Sequence, residues 1–120
     1  MQLEIHRVYG DQDTRAAYRV LVDRLWPRGV SKTAAAVDEW AKDVAPSAEL
    51  RRWYDHDPAR YAEFVRRYRA ELRRQPAREV VLRLRALAEK RRVVLLTATR
   101  DVDHSGAQVL FDALKGSTSH

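Results

Sequence analysis

The sequence predicts a small single-domain α/β fold, layered, with a mostly parallel central sheet flanked by helices. Three observations predict it. Two short apolar runs, Tyr18–Val22 and Val93–Ala98, read as strands buried on both faces of a sheet. Between them lie two stripes of apolar residues at three- and four-residue steps, the signature of amphipathic helices. The resulting order of strand, strand, helices, strand, helix suits a sheet whose parallel strands are joined by helical crossovers.

Taken in order, Leu3–Tyr9 alternates, with Leu3, Ile5 and Arg7 on one side, and predicts a first strand closing at Gly10-Asp11. Asp11–Ala17 is polar and reads as loop. Tyr18–Val22 is the stronger strand, and it ends abruptly in Asp23-Arg24-Leu25-Trp26-Pro27-Arg28-Gly29. Trp26–Gly29 fits a type I turn, with proline at its second position and glycine at its fourth. Ser31 is placed to cap a short helix over Lys32–Ala36. Asp38–Lys42 reads either as a short strand or as an extended connection.

Ser47 then caps a helix carrying Leu50, Trp53 and Tyr54 on one face, with Glu49 in its first turn where the dipole favours an acid. Asp57-Pro58 marks the next helix start, from which Tyr61, Phe64, Val65, Tyr68 and Leu72 form a stripe that stops before Pro76. A second stripe of Val80, Val81, Leu84, Leu87 and Ala88 ends in Lys90-Arg91-Arg92, cations suited to a helix C-terminus. After the strand at Val93–Ala98 comes a loop, Thr99–Asp103, and Ser105–Gln108 has capping-box spacing for a last helix bearing Ala107, Leu110, Phe111 and Leu114. Residues 1–115 are expected to form the domain and 116–120 a flexible tail.

Composition removes several function classes. The chain has 120 residues, enough to bury roughly two thirds of its unfolded surface without a staple. It has no cysteine, so disulfides, thiolate metal sites and cysteine nucleophiles are excluded. The N-terminal segment lacks the pattern of a signal peptide and no apolar run approaches the ~20 residues that span a bilayer, so a cytoplasmic protein without membrane association is expected. The formal charge is +6, but it is unevenly spread: residues 58–92 carry +8, and the segments on either side carry −1 each.

If Tyr18–Val22 and Val93–Ala98 are parallel neighbours, their carboxyl ends share one edge, where open α/β sheets bind ligands. Arg24 and Arg28 would then face Arg100, Asp101 and His104 across a crevice. Guanidinium forks recognise phosphate or carboxylate bidentately, and the Trp26 face can stack on a planar ligand. The alternative for this group is that Arg24 pairs with Asp23 or a helix carboxylate while Trp26 is core.

The string Val22–Gly29, then Trp40-Ala41-Lys42-Asp43-Val44-Ala45-Pro46-Ser47, then Leu50-Arg51-Arg52-Trp53 with His56, Phe64 and Tyr68, resembles the YeaO-like branch of the superfamily called domain of unknown function 488. The stretch Leu95–Asp101, with His104 and Ala107 after it, resembles that family as well. The likeness covers nearly the whole chain and implies a small single-domain α/β fold of bacterial type, without an established activity, substrate or cofactor. Longer relatives in that superfamily carry a Cys-His-Arg element after the last strand. Here the corresponding segment is Val102-Asp103-His104-Ser105-Gly106, so thiol chemistry does not carry over.

Beside that resemblance, the residues themselves nominate a site. Arg24, Trp26, Arg28, Lys42, Ser47, Arg51, His56 and Arg100 are the candidate ligand contacts, and Asp23, Asp101 and His104 the candidate proton-transfer groups. Ser47 could equally be an ordinary cap, His56 could simply sit at a helix end, and Asp103 could cap the final helix. No metal site is expected, since Asp101, Asp103 and His104 are too adjacent to make a ligand set. No glycine-rich cofactor loop follows any strand, and the cofactor stays unassigned. The expected partner is a small anionic, partly planar metabolite. The alternatives are a nucleic-acid-binding module using Arg66, Arg67, Arg69, Arg73 and Arg74, or a protein-interaction domain. The first would want aromatics on the basic face, whereas Tyr61, Phe64 and Tyr68 follow the core stripe.

Overall fold

The computed structural model describes residues 1–9, 16–31 and 36–116. In chain order these form β1 (Leu3–Arg7), β2 (Tyr18–Leu21), β3 (Glu39–Trp40), α1 (Ala48–Tyr54), α2 (Tyr61–Leu72), α3 (Ala77–Lys90), β4 (Val93–Thr97) and α4 (Gly106–Leu114). Three 3-10 turns, Lys42–Val44, Pro58–Arg60 and Val102–His104, connect them. The strands make one all-parallel sheet in the order β1-β4-β2-β3. Tyr18 pairs with Val93 and Leu21 with Leu96, while Arg7 pairs with Thr97, so three strands run out at nearly the same level. The loops that follow them therefore crowd one edge.

The five residues of β4 are all buried, and its four apolar ones divide between two cores. Val93 and Leu95 join Val20 and Val22 under the four helices, with Phe64 and Tyr68 of α2, Leu84 of α3 and Leu110 of α4 at the centre. Val94 and Leu96 face the other way, with Ala17 and Leu21, and are covered by Trp26, Val37 and Trp40. The helix stripes predicted from spacing are the buried faces of α2 and α3. No helix among the described residues is long and apolar enough to cross a membrane.

Several expected boundaries move, each for a local reason. The first strand stops at Arg7, two residues early, because β4 ends at Thr97 and offers Val8 only one last carbonyl. The ambiguous stretch at Asp38–Lys42 resolves into the two-residue β3, held by pairing with Val20 and Leu21. Asp57 does cap with its side chain, but it caps the 3-10 turn Pro58–Arg60 that leads into α2. The turn after β2 closes one residue later than expected: Val30 N–H donates to Pro27 O at 3.4 Å, and Gly29 sits at the third position with φ +75°. A positive φ there defines a type II turn and explains the glycine. The short helix expected over Lys32–Ala36 falls mostly on residues 32–35, outside the described residues; Ala36 itself has φ +50°.

Candidate functional site

The loop after β2 is tied down by its first residue. Asp23 accepts a hydrogen bond from Thr97 Oγ1 at 2.7 Å on one oxygen and from Ala98 N–H at 2.8 Å on the other. Its main-chain carbonyl accepts from Trp40 Nε1 at 2.8 Å. One residue thus joins the ends of β2, β3 and β4. Burial pushes the Asp23 carboxyl above its ordinary value, against the two hydrogen bonds and the charge of Arg51, which pull it down. A group with both oxygens so engaged is a structural tie.

Around that tie lies a cavity of about 600 Å³. Its inner wall includes Val22, Pro46, Tyr54, Phe64 and Ala107, and its rim includes Tyr9 and Leu25, which are 48% and 67% exposed. The volume is typical of a site for a metabolite-sized ligand. Arg24, Arg28, Arg51 and Arg52 all line it, with Asp23 and Asp55 as its carboxylates. Arg24 is half-buried and anchored through Nε to Pro46 O at 3.1 Å, an anchor that does not use its two terminal nitrogens. Arg51, one turn from the end of α1, is also half-buried, and its Nε is fully buried with no hydrogen-bond partner. Such a donor costs about 1–3 kcal/mol unless something accepts from it.

Backbone geometry sets the other wall. Asp55 and His56 follow α1 in the left-handed region, with φ +48° and +54°, and this sharp exit brings His56 to the cavity. Tyr54 stacks on Phe64 at 4.2 Å between ring centroids, and its hydroxyl donates to His104 O at 2.6 Å. On the far side Ser105 caps α4, its hydroxyl accepting from Gln108 N–H at 3.1 Å and its carbonyl from Gln108 and Val109 N–H. That is half of the expected capping box, for Gln108 reaches forward to Asp112 instead of back. Gly106 packs so closely on Pro46 that an added Cβ would lie 3.0 Å from Pro46 Cγ.

The candidate residues therefore separate into two sets. Asp23, Arg24, Trp26, Arg28, Arg51 and His56 meet at the cavity. Lys42, Ser47, Arg100, Asp101 and His104 are not among its lining residues. Lys42 lies 4.0 Å over the Trp40 ring. Ser47 caps α1 as expected, but its hydroxyl and N–H both donate to Glu71 of α2, at 2.6 and 2.8 Å, so a protein carboxylate fills the anion position foreseen there. The 3-10 turn after Asp101 carries that loop past the crevice: His104 Nδ1 and Asp101 Oδ2 are 2.9 Å apart, and the His104 ring meets Tyr61 edge-on at 5.0 Å. Trp26 divides its roles, lining the cavity while its Nε1 donates to Val30 O at 2.6 Å and its ring meets Trp40 edge-on. Arg52, Tyr54 and the start of α4 were missed. Arg52 adjoins Arg51 in sequence, and only the non-ideal exit of α1 reveals that both neighbours reach one hollow.

Elsewhere, many arginines of α2 and α3 have protein partners. Arg66 and Arg67 share Glu63, which they hold down at about 2. Arg83 pairs with Glu39 of β3, Arg85 donates to Ala113 O and Leu114 O at the end of α4, and Arg92 pairs with Glu4 of β1. Arg67 also lies 4.3 Å over the Trp53 ring. The basic segment is in large part a set of ties between elements.

Fold and crevice together define a class: a small, all-parallel α/β protein with an arginine-lined cleft beyond the carboxyl ends of its strands. Within that class the chain belongs to the DUF488 family, whose DUF488-N3i model, described as the inactive DUF488-N3 subclade, matches residues 2–120. It is 46% identical over 115 residues to the uncharacterised protein Rv3073c of Mycobacterium tuberculosis strain H37Rv, covering 96% of this chain and 95% of that one. The uncharacterised protein YeaO of Escherichia coli K12 is 39% identical over 115 residues, covering 96% of this chain and 98% of its own. These relatives bear out the YeaO-like resemblance. No solved structure matches the chain.

Proposed function

We propose that this protein binds a small anionic, partly planar metabolite in the crevice beyond β2 and β4, and that it holds the ligand without transforming it. The observation that carries the reading is the cluster of four arginines on one cavity, one of them with a buried Nε that no protein group satisfies. Buried polar atoms are nearly always paired, and the residue that carries this orphan is one of those lining a cleft of ligand size. Arg24, Arg28 and Arg51 are the anion contacts, with Trp26 and His56 as the flat walls.

Binding without turnover is favoured by the state of the acids and bases. Asp23, the one candidate proton-transfer group at the cavity, has both oxygens engaged by Thr97 and Ala98. Asp101 and His104 pair with each other and are not themselves among the lining residues. The word inactive in the description of the matching family model agrees with this. The test is a thermal-shift screen of phosphorylated and carboxylated metabolites against wild type, Arg28→Ala, Arg51→Met and, as a control on the exposed side of α3, Arg78→Ala. A ligand should raise the melting temperature of wild type and the control and fail to do so in the two crevice variants. A uniform absence of arginine-dependent shifts would sink the reading.

A further inference from the structure

Resting on that binding reading, we infer that the ligand is a phosphate monoester dianion carried on an aromatic or heteroaromatic body, the size of a mononucleotide. The charges lining the cavity point there. Among the described residues that line it, four arginines stand against two aspartates, a positive surplus that suits a phosphate monoester above its second ionisation better than a monocarboxylate. The surplus is also graded. Arg24 and Arg51 are half-buried and lie inward, beside Pro46 and the Asp23 tie, whereas Arg28 and Arg52 are exposed at the mouth.

The inner end offers donors of the kind a tetrahedral anion requires. Arg51 Nε is buried and unpartnered, and Arg24 keeps its terminal nitrogens after anchoring on Pro46. Pro46 touches Gly106, so this inner end adjoins the start of α4, where Gly106 and Ala107 line the cavity. Ser105 takes the N–H groups of Gln108 and Val109, and those of Gly106 and Ala107 have no acceptor among the described residues. Two N–H donors at a helix start and two guanidiniums suit the three terminal oxygens of a phosphate, more than the two of a carboxylate can use. Gly106 is then required for reach as well as for packing, since a side chain there would press on Pro46 at 3.0 Å.

The mouth is built for the rest of the molecule. Trp26, Tyr9, Leu25 and His56 line it with aromatic and apolar surface, and Leu25 is exposed. A cavity of about 600 Å³ holds a ring system with its phosphate, and a bare phosphate would leave most of it unfilled.

The test titrates the full-length protein with phenyl phosphate, benzenesulfonate, benzoate and inorganic phosphate, by calorimetry and by amide NMR. Phenyl phosphate should bind about tenfold or more tighter than the monoanions, weaken about tenfold between pH 7.5 and pH 5 as it loses its second charge, and shift the Gly106 and Ala107 amides. Arg51→Met should abolish its binding. Benzenesulfonate or benzoate binding as tightly, in an Arg51-dependent way, would overturn the phosphate assignment and leave the anion-binding reading standing. Inorganic phosphate binding as tightly as phenyl phosphate would overturn the aromatic body. No Arg51-dependent binding by any of the four would overturn both readings together.

Discussion

Replacing Arg51 by methionine tests whether that side chain serves the fold or a ligand. Methionine keeps the apolar stem of arginine and its packing against the cavity wall, and removes the guanidinium. Two effects on the empty protein oppose each other. Deleting a buried donor that has no acceptor, Arg51 Nε, recovers about 1–3 kcal/mol. Deleting the charge that pulls Asp23 down gives back an amount on the order of 1 kcal/mol, the scale of one charge pair near a protein surface. The empty variant is therefore expected to be equal in stability to wild type or up to about 2 kcal/mol more stable. At about 3–6 °C per kcal/mol for a chain of this length, its melting temperature should stay level or rise by several degrees.

The pH dependence sharpens the test. Burial already raises Asp23, so its folded form favours the protonated carboxyl, and the stability tied to that group falls as pH climbs through its folded-state value. Without Arg51 the value rises further, so the advantage of the variant should be larger near pH 4 than near pH 7. Urea denaturation at both pH values, paired with the phenyl phosphate titration, provides the measurement. A loss of more than about 2 kcal/mol in the empty variant, with ligand binding intact, would refute the reasoning and make Arg51 a structural residue.

Other perturbations have equally definite expectations. Gly106→Ala should cost about 1–3 kcal/mol in chemical denaturation, since the new methyl overlaps Pro46 at 3.0 Å and Pro46 is itself held through its carbonyl by Arg24. Asp23→Ala should cost about 2–5 kcal/mol, by orphaning the Ala98 N–H and the Thr97 hydroxyl proton, and Asp23→Asn less, because its amide oxygen still accepts one of them. Arg92 holds the Glu4 carboxyl down to about 2 from an ordinary 4.5, so the contribution of this pair is complete above that ordinary value and disappears as pH falls toward 2. Glu4→Gln should flatten the acid limb of the stability curve in that window while costing under about 1 kcal/mol at neutral pH, the ceiling for a pair this exposed.

How much of this was legible in the sequence depended on whether a feature is local. The stripes of α2 and α3, the doubly buried runs of β2 and β4 and the Ser47 and Ser105 caps are set by neighbours within a few residues, and pattern alone placed them. The parallel pairing of β2 with β4, left as a condition by the sequence, suits two runs that are apolar on each face. What pattern could not supply was competition between distant groups. Ser47 has the composition of an anion site, but Glu71, 24 residues away, occupies it. The Asp101–His104 pair has the composition of a catalytic dyad, but one 3-10 turn decides which way it faces, and residue propensities carry no information on that choice. Arg52 was lost for the opposite reason: an ideal helix separates adjacent side chains by about 100°, so a helical reading that used Arg51 had to discard its neighbour.

The same competition supports the proposal that the crevice holds an anion and does not act on it. A general base must be unencumbered and near the ligand. Here the best-placed carboxylate, Asp23, is removed from that role by the sheet itself: its oxygens close the gap between β2 and β4, where the register leaves the Ala98 N–H and Thr97 hydroxyl in need of acceptors. With Asp23 committed, Asp55 is the only other carboxylate among the described residues that line the cavity, against four arginines. The tie that makes the strand ends rigid is thus the feature that leaves the arginines free for a ligand. Asp23→Asn should consequently weaken the scaffold and strengthen anion binding at once, a pair of opposite changes that a purely structural role for the crevice would not produce.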